Sequence, residues 1–109
     1  MKNLILFLFS FLFILNCQSQ IIIKHFNAAW NNSNKVEWLE KLNDCSVKYY
    51  DITKSPELQK RYKVVVVPTI VVFQDGDEIK RYQADISLKI SATKEDIQAA
   101  IDEAIMGGF

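Results

Sequence analysis

The chain is poor in the residues on which small stapled domains, metal centres and redox sites depend. Its 109 residues include two cysteines, one histidine, two prolines and three glycines. Cys17 lies among the first twenty residues and Cys45 stands alone after them, so no disulfide framework supports the fold. The single histidine, His25, has no second ligand of suitable type at a metal-site spacing, and no metal or cofactor is expected. Thirteen basic residues balance thirteen acidic ones. The two signs are interleaved, which leaves no electrostatic footprint for nucleic acid. Repeats, linkers and low-complexity stretches are missing after residue 20.

Apolar residues, by contrast, are abundant and crowd the start of the chain. Leu4 to Leu15 is apolar apart from Ser10, follows the basic Lys2, and runs into the polar Asn16-Cys17-Gln18-Ser19-Gln20. This is the layout of a secretory signal peptide. Twelve residues rise about 18 Å as a helix, too little for a hydrocarbon core of roughly 30 Å, so cleavage is favoured over a retained anchor. Cleavage after Ser19 makes residues 1–19 a signal peptide. Alternatively, Ile14-Leu15-Asn16-Cys17 resembles a bacterial lipobox, with Asn16 departing from the usual small residue. Lipidated Cys17 would then be the first residue and would tether the protein to a membrane. The expected location is the bacterial periplasm, free or attached as a lipoprotein. Either cut leaves about 90 residues, one domain over 20–109, enough for a core that buries roughly two thirds of its unfolded surface.

The remaining chain alternates strand and helix patterns. Ile21 to Phe26 is a β-branched run suited to a strand covered on both faces. Asn34 with Glu37 predicts a capped helix carrying Val36, Leu39 and Leu42 on one side, ended by Asn43-Asp44. Val47 to Ile52 is a second strand. Pro56 opens a short helix at the position where its missing N–H costs nothing, and Leu58 and Tyr62 share a face of it. Thr69 to Phe73 is a strand, Asp75-Gly76 a hairpin signal, and Glu78 to Ala84 the returning strand. Thr93 with Asp96 caps a last helix with the stripe Ile97, Ala100, Ile101, Ala104 and Ile105, stopped by Gly107-Gly108. The order is β-α-β-α-β-β-α. Right-handed crossovers turn it into an α/β fold with a four-stranded mixed sheet and helices on both faces.

These residues resemble the thioredoxin family over essentially the whole domain. His25-Phe26-Asn27-Ala28-Ala29-Trp30 is similar to the strand that ends in Trp before the family's Cys-Gly-Pro-Cys. Ser55-Pro56-Glu57-Leu58, Lys60-Arg61-Tyr62 and Val67-Pro68-Thr69 resemble its second helix and cis-proline signature, and Phe73 with Asp75 to Glu78 its hairpin. The resemblance implies a cis Val67–Pro68 bond and a groove of Trp30, Asn31, Asn32, Ser33, Val67, Pro68 and Thr69. In that groove the backbone of Val67 would pair with an extended peptide. It also implies that the family's first strand and helix are missing, that His25 replaces a buried acid, and that Asn31 and Asn34 occupy the two cysteine positions.

Thioredoxin chemistry needs a thiolate at a helix N-terminus and a second thiol to resolve the mixed disulfide. Amides can be neither, and no base is evident to activate Ser33. Cys45, about ten helical residues beyond Ser33, would lie about 15 Å away near a helix C-terminus, where a thiolate is disfavoured. It reads better as a small, inert side chain. His25 reads as a core histidine hydrogen-bonded within the sheet. Trp30 either covers the old site or packs, and Trp38 is equally a core or a contact residue. Asn31-Asn32-Ser33 fits a glycosylation sequon, a chance match in a bacterial chain. The expectation is therefore a non-redox module binding an extended peptide or periplasmic protein. The alternatives are an oxidoreductase using Cys45 and a membrane-tethered structural domain.

Overall fold

The computed structural model describes residues 20–107. The leader expectations, Cys17 and residues 108–109 lie outside the described residues. Four strands, β1 (Ile21–Asn27), β2 (Ser46–Asp51), β3 (Thr69–Gln74) and β4 (Asp77–Gln83), form one sheet in the order β2-β1-β3-β4. β1 runs parallel to β2 and antiparallel to β3, and β3 is antiparallel to β4. The sheet is mixed for a local reason. β1 and β2 are joined by a crossover, whereas Asp75 and Gly76, both at positive φ (52° and 90°), make the two-residue primed turn that pairs β3 with β4.

Each face of the sheet carries its own core. Ile21, Ile23, Ile70 and Val72 pack with Val36, Leu39 and Leu42 and with Ile97, Ile101 and Ala104 of the last helix, α2 (Lys94–Ile105). On the other face Phe26, Val71 and Phe73 meet Ile52, Val64 and Val67, with Leu58 of the short helix α1 (Pro56–Arg61) against them. The uninterrupted β-branched runs of β1 and β3 follow from this, because both faces of those strands are covered. The α2 cap forms as its sequence predicts: Thr93 Oγ1 accepts the Asp96 N–H at 3.1 Å, and Asp96 accepts the Thr93 N–H at 2.8 Å.

Two local expectations are corrected. The helix expected from Asn34 to Leu42 is instead a pair of 3-10 segments, Ala29–Asn34 and Glu37–Lys41, and Asn34 caps nothing. Its side-chain amide donates to Asn31 Oδ1 at 2.8 Å, and the Val36 N–H is drawn to His25 Nε2 at 3.2 Å rather than into an α-helical ladder. The Lys35 N–H meets Asn32 O in a tight 3-10 turn. The stripe of α2 ends at Ala104: Ile105 is 49% exposed. Gln74, the last residue of β3, donates to Ala104 O at 3.1 Å and marks where the sheet stops beneath the helix. Gly107, at a φ of 82°, follows the helix end.

Candidate functional site

The C-terminal end of β1 carries the chain into the first 3-10 segment, beside the residues preceding β3. Asn31 sits at the centre of that junction and is 4% exposed. Its backbone N–H donates to Ala28 O, which closes the turn after the strand. Asn27 Nδ2 donates to Asn31 O, and Asn31 Nδ2 donates back to Asn27 Oδ1, both at 3.1 Å. The same Asn31 Nδ2 lies 3.4 Å from Val67 O and 3.3 Å from Leu88 O. An amide nitrogen has two hydrogens, so one of them is shared between acceptors. With Asn34 donating to Asn31 Oδ1, the amide of Asn31 ties together β1, the segment before Pro68 and the loop after β4.

The Val67–Pro68 bond is cis. Val67, Pro68 and Thr69 are buried, Thr69 Oγ1 donates to Val66 O at 2.7 Å, and Pro68 O accepts the Ala84 N–H. Around this point the seven residues expected to form a groove divide in two. Asn31, Val67, Pro68 and Thr69 are buried, while Trp30, Asn32 and Ser33 are exposed. Trp30 is 67% exposed, so it stands over the site rather than packing into the core. A cavity of about 210 Å³ opens beside Val67, lined by Trp30, Ile52, Gln59, Val64, Val65, Val66 and Leu88. Val65 is 74% exposed at its edge. The partners Ile52, Val64–Val66 and Leu88 were not legible as site residues, since Leu88 comes from a loop with no periodic pattern. Asn27 carried a faint signal, four residues before Asn31 and of the same type.

Residues 31–34 carry no sulfur, and Cys45 is the only cysteine among the described residues. Cys45 immediately precedes β2, and the register pairs Ile22 with Ser46 and Asn27 with Asp51. It therefore sits at the opposite end of β1 from Asn27, about 20 Å away at strand rise. Burial, and then the charge of Asp44, push its thiol above the ordinary range. The cause differs from the helix terminus expected, since the preceding 3-10 segment has ended at Lys41.

His25 is fully buried. Its hydrogen bond runs outside the sheet, with Nε2 accepting the Val36 N–H, and its ring tilts against Tyr49 with centroids 5.0 Å apart. Desolvation, with the charge of Lys35 adding to it, lowers its pKa to about 4. It is neutral at physiological pH. Trp38 is half-buried and packs against the core on the α2 face. Among the described residues no group of His, Cys, Asp and Glu is arranged to hold a metal ion, and no helix is long and apolar enough to cross a membrane.

Comparison with known proteins agrees with this architecture. Thioredoxins of Mycobacterium tuberculosis and Mycobacterium bovis are 36% identical to the chain over 42 residues, which is 38% of this chain and 36% of theirs. The alignment thus spans about a third of the length of those relatives. A thioredoxin variant from Halobacterium salinarum superposes with a TM-score of 0.62 at 24% identity, covering 79% of this chain and 74% of that one. Thioredoxin-2 of the malaria parasite gives a TM-score of 0.59 at 18% identity, covering 81% and 86%. These structures share the fold. The thioredoxin family model matches residues 14–103, and the chain belongs to the thioredoxin family.

Proposed function

We propose that the chain is an exported thioredoxin-family protein that has given up thiol chemistry and holds an extended peptide segment in the groove beside Trp30, Val67 and Pro68. The apolar cavity of about 210 Å³ against Val67 carries this reading. Its walls suit an aliphatic side chain, and the exposed Trp30 and Val65 supply apolar surface at its mouth. Val67 O spends one lone pair on Asn31 at a long 3.4 Å. A carbonyl has two, so an incoming backbone N–H still finds an acceptor, as strand addition requires. Asn31 and Asn34, which the family resemblance sets at the two cysteine positions, are amides bonded to each other. Export, by cleavage after Ser19 or lipidation at Cys17, completes the proposal and rests on the leader sequence alone.

The test is fluorescence titration of the chain with extended apolar peptides, in parallel with insulin reduction by dithiothreitol. Trp30→Ala and Val65→Asp alter exposed side chains and leave the core intact, and each should weaken peptide binding about tenfold or more. Insulin reduction should proceed at the uncatalysed rate. Binding indifferent to both substitutions removes the groove reading, and catalysed reduction that vanishes in Cys45→Ala establishes the oxidoreductase alternative. Membrane fractionation of wild type and Cys17→Ala distinguishes the lipoprotein from the freely exported form.

A further inference from the structure

A second cavity, of about 180 Å³, lies on the β2 side of the first 3-10 segment and shares only Asn32 with the peptide groove. Its polar lining includes His25, Asn32, Lys35 and Asp51, and Tyr49, Tyr50 and the alanines Ala28 and Ala29 complete the wall. His25 is the unusual member. Because Nε2 accepts the Val36 N–H, the neutral ring carries its proton on Nδ1. That nitrogen is buried and meets no partner in good hydrogen-bond geometry among the described residues, its own backbone carbonyl being the one acceptor close enough to favour the proton. A buried donor without an acceptor is costly, and in native folds such a group is almost always satisfied. His25 is part of the cavity lining, so an acceptor entering the cavity could meet this donor better than its own carbonyl does.

The charges narrow the class. Lys35 Nζ lies 4.4 Å from the centroid of the Tyr49 ring and makes no ion pair among the described residues. Its charge reaches His25, where it helps to disfavour the imidazolium. An anion placed between Nδ1–H and this ammonium gains from both. Asp51, also in the lining, is held as a carboxylate because Thr53 donates to it through both its hydroxyl and its N–H. That charge opposes a dianion. A cavity of about 150 Å³ can hold a ring of benzene size, so the space here suits a molecule of a few heavy atoms.

We propose that this cavity binds a small monocarboxylate, with one oxygen accepting the His25 Nδ1–H beside Lys35 and a short apolar tail lying against Tyr49 and Tyr50. The site shares only Asn32 with the peptide groove, and its test does not depend on peptide binding. The single histidine of the chain provides an unambiguous reporter. In the nitrogen-15-labelled full chain, sodium butyrate titrated at neutral pH and constant ionic strength should move the imidazole Nδ1 and Hε1 resonances saturably, with half-saturation in the millimolar range. Sodium sulfate should not. Lys35→Gln, at a partly exposed position without an ion pair, should raise the half-saturation concentration about tenfold. A linear, non-saturating shift, an equal response to sulfate, or a half-saturation unchanged in Lys35→Gln would each overturn the proposal.

Discussion

Replacing Asn31 by alanine should cost the protein more stability than any other single polar change at the groove. The substitution removes the donor to Asn27 Oδ1, Val67 O and Leu88 O and the acceptor for Asn34 Nδ2. Asn27 and Val67 are 6% and 5% exposed, so their oxygens gain little from bulk water. Each buried acceptor left unpaired costs about 1–3 kcal/mol. Two such groups, partly relieved by water entering the space of the lost amide, give about 2–4 kcal/mol. For a domain of this size that lowers Tm by roughly 10–25 °C, and it is a sizeable share of a typical total stability of about 5–15 kcal/mol. Urea denaturation followed by circular dichroism measures it as a fall in midpoint at constant slope. Asn34→Ala, at a half-buried position with one bond to lose, should cost only about 0.5–1 kcal/mol. Asn31→Cys should resemble Asn31→Ala, because one weak S–H donor cannot serve three acceptors. A loss below about 0.5 kcal/mol for Asn31→Ala would refute the view that this amide holds β1, Val67 and Leu88 together.

Other expectations concern titration, caps and the turn. The pKa of His25 falls from 6.5 to about 4 on folding. The unfolded chain therefore takes up the proton first, and stability is full above pH 6.5 and lost as pH falls towards 4, by roughly 3 kcal/mol. Denaturation midpoints across that window check the loss, and an imidazole titration inflecting near 6.5 in the folded protein would contradict it. Thr93→Ala removes half of the capping box on α2 and should cost about 1 kcal/mol by thermal denaturation. Cys45, with its thiol pushed up by burial, should react with iodoacetamide at pH 8 more slowly than glutathione; a faster reaction would restore it as a redox candidate. Gly76→Val places a β-branched side chain at a φ of 90° with no steric neighbour within 4 Å. Its loss of roughly 1–2 kcal/mol should come from the backbone alone.

The strands, the two-residue turn, the α2 cap and the order of elements were legible because each is encoded within a few neighbouring residues. The β-branched runs, Asp75-Gly76 and Thr93 with Asp96 all act at short range, and tertiary packing agrees with them. The family resemblance was readable for the same reason, being carried by short motifs at fixed spacings. The segment from Ala29 to Lys41 was misread because its local signals were overruled from a distance. His25 took the Val36 N–H, and Asn31 took the Asn34 amide that would have capped a helix. Of the seven residues expected to form a groove, Trp30 and Val67 line one cavity, whose other walls, Ile52, Gln59, Val64 to Val66 and Leu88, no local pattern announced.

Sequence alone determined the order of strands along the chain, the absence of sulfur at residues 31–34 and the balance of charge, since these follow from residue type and order. Tertiary structure alone decided which of those residues face a ligand and which hold the frame. It buried Asn31 against Val67 and Leu88, 36 and 57 residues away in the chain. It left Trp30 exposed, set Cys45 at the far end of the sheet, and left one nitrogen of His25 without a partner in good hydrogen-bond geometry. Hydrogen bonds and burial across such separations depend on how the sheet brings its ends together, and no local pattern of residues encodes them.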